Sequence, residues 1–89
     1  MKLSKEFIRK QVLKELRPTG RSGMAPKYAV SFITAEFPSV KPESVLEDIE
    51  YLAGKGLLEF FASPISAGDK RVRITAAGID FLENENSPV

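Results

Sequence analysis

Histidine and cysteine are both absent from this chain of 89 residues. That removes the commonest base for proton transfer near neutral pH, the most reactive side-chain nucleophile, and every zinc site built on imidazole or thiolate. Carboxylates, hydroxyls and cations remain. Glu43, Glu47 and Glu50 recur at spacings of four and three, which places them on one side of a helix. A hard cation needs oxygen ligands converging from several directions; one helical column offers a single direction and reads as a solvated acidic face. Ser31, Ser63 and Ser66 have no recognisable activating triad. Gly20 to Gly23 lacks both the spacing and the following Lys-Ser/Thr of a phosphate-binding loop. The chain is read as a non-enzyme that needs no cofactor and no metal.

The cations are more informative, because a net charge of +1 conceals their segregation. From Met1 to Lys27, the basic residues Lys2, Lys5, Arg9, Lys10, Lys14, Arg17, Arg21 and Lys27 face only Glu6 and Glu15. From Tyr28 to Ser63 the balance reverses: Lys41 and Lys55 oppose Glu36, Glu43, Glu47, Asp48, Glu50 and Glu59. In the last third Lys70, Arg71 and Arg73 stand against Asp69, Asp80, Glu83 and Glu85. A polyanion is drawn to the first third and to residues 70–73, and repelled by the middle.

The elements that must carry these groups can be read from periodicity and punctuation. Ser4 is an N-cap for a first helix reaching about Leu16, with Leu3, Phe7, Ile8, Val12 and Leu16 on a broad apolar stripe. Pro18 to Gly23 breaks it and reads as a mobile basic loop. Pro26 suits the first turn of a second helix, which carries Ala29, Val30, Phe32, Ile33 and Phe37 and stops at Pro38. After a short turn, Pro42 opens a third helix with Val45, Ile49 and Leu52 inward, closed near Gly54 and Gly56 by a left-handed cap. Leu57 to Phe61 reads as a strand, Ser63 to Asp69 as a long exposed loop, and Arg71 to Ile74 as a second, half-buried strand with both arginines on one face. Phe60 and Phe61 point to opposite sides, one into the core and the other partly exposed. One domain fills the chain, ordered from about residue 4 to 83, with 84–89 frayed. No apolar run approaches the ~18 residues of a membrane span, and the first residues are no export signal, so a cytoplasmic location is expected.

The order helix, helix-turn-helix, hairpin, helix, together with the ending ITAAGIDFLE from Ile74 to Glu83, resembles the winged helix-turn-helix superfamily, and in particular its small bacterial and phage members. There an Ile/Leu-Thr pair closes the wing, and a glycine sits one turn into the last helix. Here these are Ile74-Thr75 and Gly78. The resemblance implies an α+β, mostly helical fold and a DNA-binding transcriptional regulator. Lys70, Arg71 and Arg73 would sit on the wing, Arg9, Lys10 and Arg21 on the flanking backbone, and Lys41 and Ser44 at the start of the third helix. That helix departs from the DNA-reading pattern. With Val45, Ile49 and Leu52 inward, its outward set is Glu43, Ser44, Glu47, Asp48 and Tyr51, and three of those five are carboxylates. The alternative is an interaction module, in which Glu43, Glu47 and Asp48 complement a basic protein partner and Tyr51 is its aromatic anchor. A homodimer is compatible with either reading.

Overall fold

In the computed structural model, which describes residues 3–63, 65 and 68–84, the Ser4 side chain accepts the Phe7 amide at 3.1 Å and so opens the first helix. The elements are α1 Lys5–Leu16, α2 Pro26–Glu36, α3 Pro42–Gly54, β1 Leu58–Ala62, β2 Lys70–Ile74 and α4 Ala76–Glu83. Loop residues 64, 66 and 67, and the tail 85–89 read above as frayed, lie outside the described residues.

Local chemistry sets each boundary. Pro26 and Pro42 occupy first-turn positions, where the missing N–H has no helical partner. At the end of α3, Gly56 takes φ +79°. The Leu57 amide donates to the Leu52 carbonyl and the Gly56 amide to Ala53, both at 3.0 Å. This is a Schellman cap with its apolar Leu52–Leu57 pair. Thr75 opens α4 by accepting from the Gly78 amide at 3.1 Å, while its hydroxyl donates to the Gly56 carbonyl at 2.6 Å. One side chain thus joins the ends of α3 and α4.

The expected core forms. Ile8, Val12 and Leu16 of α1 meet Ala29 and Ile33 of α2, Val45, Ile49 and Leu52 of α3, and Leu58, Val72 and Ile74 of the hairpin. Leu13, which the α1 stripe did not include, is fully buried with them. Phe7 and Phe32 lie outside this core. Phe7 meets Phe37 edge-on at 5.3 Å between ring centres, and Phe32 is 53% exposed.

β1 and β2 pair antiparallel, with Phe60 opposite Val72 and Phe61 opposite Arg71. A third lane runs along the other edge of β2. Met24 and Val72 exchange both backbone hydrogen bonds at 2.9 Å, so the hairpin is anchored to the segment before α2. Gly23 makes this possible: it adopts φ +59°, and a Cβ there would run into the Val72 carbonyl. The preceding segment is not the loose loop expected from its Pro and Gly content. Arg17–Ser22 forms a 3-10 segment, tied to α1 by the Thr19 hydroxyl, which donates to the Leu16 carbonyl at 2.6 Å.

Candidate nucleic-acid interface

The outer face of the hairpin gathers cations from two distant parts of the chain. Strand alternation sends Arg71 and Arg73 to the side opposite Val72 and Ile74, facing the 3-10 segment. The Arg71 guanidinium donates to the Ser22 carbonyl at 3.0 Å and the Gly23 carbonyl at 2.9 Å. Arg73 donates to Glu59 at 2.9 Å and to the Arg21 carbonyl at 3.4 Å, and its guanidinium lies 4.3 Å from the centre of the Phe61 ring. An open cleft of about 590 Å³ results, lined by Arg21, Arg71, Arg73, Phe61, Ser22 and Ser63. Phe60 is on the other side, packed against the core, with the Lys70 ammonium 4.9 Å from its ring centre. The division of Phe60 and Phe61 between two faces is as the sequence implies.

The two wing arginines therefore differ. Arg71 donates to two successive backbone carbonyls, which makes it a brace between the wing and the end of the 3-10 segment. Arg73 holds a half-exposed pair with Glu59, the kind of pair worth at most about 1 kcal/mol and readily exchanged for another anion.

α3 presents a face of opposite character. Glu43, Glu47 and Glu50 are exposed on the side opposite Val45, Ile49 and Leu52, and no ion pair involves them among the described residues. Leu46 on the same helix is 44% exposed, and Tyr28 and Phe32 of α2 are also largely exposed. Lys41 is exposed just before the helix, and Ser44 is half-buried beside it.

Asp48 is not part of that face. The sequence pattern placed it outward with Glu47, but it is 2% exposed. The Arg9 Nε donates to its carboxylate at 3.0 Å, and the Lys5 ammonium lies 3.6 Å away. Arg9 also stacks on Tyr51, 3.7 Å from the ring centre, and Lys55 approaches the same ring at 5.6 Å. Residues expected on separate partner surfaces thus form one internal unit. Asp48 falls at the spacing of the apolar stripe, three after Val45 and four before Leu52, and that spacing was the signal for its burial. Arg17 is paired at the surface with Glu83 at 3.1 Å, while Lys14 and Arg21 are exposed and Lys10 is half-buried.

Among the described residues no group of three or more His, Cys, Asp or Glu is arranged to hold a metal ion, and no helix is long and apolar enough to cross a membrane.

No protein-family model matches this chain, and no curated protein matches it in sequence. Solved structures do. A mutant of MepR from S. aureus bound to an oligodeoxyribonucleotide superposes with a TM-score of 0.71 at 16% identity over 85% of this chain. The Multiple Antibiotic Resistance Repressor MarR gives 0.69 at 20% over 85%, and a PadR family transcription regulator from Clostridium difficile gives 0.72 at 18% over 89%. The chain spans 51% of the MepR chain, 50% of MarR and 82% of the PadR protein. Likeness at this identity establishes a winged helix-turn-helix fold and leaves the ligand to the chain's own residues.

Proposed function

We propose that this chain is a DNA-binding winged-helix regulator that holds the duplex by its wing rather than by inserting α3. The observation that carries the reading is the outer hairpin face. Arg21 and Arg73 converge there, in a fold shared with a regulator bound to an oligodeoxyribonucleotide, and Lys70 adds a cation at the β2 end on the opposite face, beside Phe60. Guanidinium groups suit phosphate oxygens and narrow minor grooves. Arg73 can exchange its exposed Glu59 partner for phosphate at little cost. Lys41 adds a flanking cation at the start of α3. Arg9 is left out of the binding set, since Asp48 and Tyr51 hold its guanidinium. Arg71 serves as the brace that keeps the wing in place. The carboxylates of α3 are kept away from the phosphates, because three unpaired acids against a polyanion would weaken binding.

The salt dependence of binding to random-sequence duplex tests this mode. Replacing Arg21, Lys70 and Arg73 together by alanine should flatten the log–log salt slope by about 0.9 for each phosphate that is no longer neutralised. An unchanged slope in that variant would reject the wing as the binding surface.

A further inference from the structure

The acidic face of α3 has a geometric counterpart on the same molecule. Glu43, Glu47 and Glu50 are spaced four and three apart; on α1, Lys10, Lys14 and the capping Arg17 show the same spacing in the same N-to-C order, and Arg17 has to exchange its exposed Glu83 partner to join the pairing. At 1.5 Å rise per residue, both columns step by about 6 Å and then about 4.5 Å. They are in register when the two helices lie side by side and parallel. Each column sits on the side of its helix away from the buried stripe, Ile8, Val12 and Leu16 for α1 and Val45, Ile49 and Leu52 for α3. Those stripes meet in one core, so the two columns point away from each other within one chain.

The apolar surroundings match as well. Lys10 and Lys14 line a groove of about 310 Å³ whose other wall is Phe81 and Leu82 of α4. Beside the acidic column, Leu46 lies three residues after Glu43 and four before Glu50, 44% exposed.

From this complementarity we infer that α3 of one copy docks on the α1–α4 groove of a second copy, with Leu46 entering between Phe81 and Leu82 and the two charge columns pairing. It goes beyond DNA binding and does not depend on it. It gives the acidic docking surface a defined occupant, a second copy of the chain. Because donor and acceptor surfaces lie on opposite sides, the interface is head-to-tail, and copies add in a row or close into a ring instead of stopping at a two-fold dimer. Association driven by exposed charges is weak and salt-sensitive.

Sedimentation of the nucleic-acid-free protein over a concentration series, at low and high salt, reads the association directly. Average mass should rise with concentration at low salt and fall back toward the monomer at high salt. Glu43→Lys with Glu47→Lys should weaken association about tenfold or more, as should Lys10→Glu with Lys14→Glu in a separate chain. Mixing the two reversed proteins should restore it, since the lysines on α3 of one meet the glutamates on α1 of the other. Thermal midpoints serve as the folding control. Should either double variant fold poorly, Glu47→Lys against Lys14→Glu performs the same exchange at one pair. A wild-type protein that stays monomeric at low salt overturns the inference. So do reversed proteins that associate as the wild type does, or a mixture that fails to recover.

Discussion

A carboxylate taken out of water needs a partner, and Asp48 has two cations and a position at the spacing of an apolar stripe. Arg9 is the closer of the two, and its guanidinium is itself sandwiched, with Asp48 on its edge and Tyr51 on its face. Removing Arg9 leaves a buried charge with only the more distant, exposed Lys5, so Arg9→Ala should destabilise the protein by roughly 3 kcal/mol. Replacing both members by apolar residues, Arg9→Met with Asp48→Leu, should be near neutral, because the desolvation cost disappears along with the attraction. Urea denaturation of the two variants separates these cases; equal losses in both would mean that the pair acts through packing alone. The residue type of Asp48 hid its position in the sequence. Its spacing was readable, but the cation that makes burial tolerable lies 39 residues away on another helix, and no local pattern reports such a pairing.

Elements joined by close backbone approach show a second kind of constraint. Gly78 is buried in α4, and a Cβ there would run into the Leu57 carbonyl and approach Ile74 Cγ1 at 2.7 Å. Helix propensity alone favours Gly78→Ala by about 1 kcal/mol. Steric overlap with a backbone atom at the joint between α3 and the wing should outweigh that gain, for a net destabilisation of roughly 1–3 kcal/mol. Thermal unfolding measures the sign, and a stabilised Gly78→Ala protein would mean that α4 can slide away from the hairpin without cost. The sequence made most elements legible, since Ser4, Pro26, Pro42 and Thr75 each announce a helix start by a local mechanism. The glycine in α4 was visible as part of the wing-closing ending, but the backbone it packs against was not. The Met24 lane was not, because a single bridging residue has no alternation to detect. Nor was the order of Arg17–Ser22, which is imposed by Arg71 from the far side of the chain and runs against its Pro and Gly content.

At the scale of the whole molecule, charge is sorted into surfaces of opposite sign: cations on the wing face and outer α1, and carboxylates on outer α3. Segregated fields steer association and repel the wrong partner over about a Debye length, roughly 8–10 Å at moderate salt. The charge asymmetry along the sequence foretold this sorting, whereas which charges are spent internally emerged only from the fold. Glu47 and Asp48 are neighbours in sequence, yet they should respond in opposite ways to the same change. Glu47→Lys alters an exposed carboxylate with no ion pair among the described residues, so stability should move by no more than about 0.5 kcal/mol. Asp48→Lys places a third cation beside Lys5 and Arg9 in a buried site and should prevent folding at ordinary temperature. For DNA, Glu47→Lys removes long-range repulsion and adds attraction from a helix that the wing-bound duplex does not contact. Affinity for random duplex should therefore rise at low salt, and the gain should shrink as salt screens it. A mobility-shift titration of wild type and Glu47→Lys across a salt series measures this. If Glu47→Lys binds no better at low salt, α3 lies more than a Debye length from the phosphates, and the duplex must be held from the outer wing face alone.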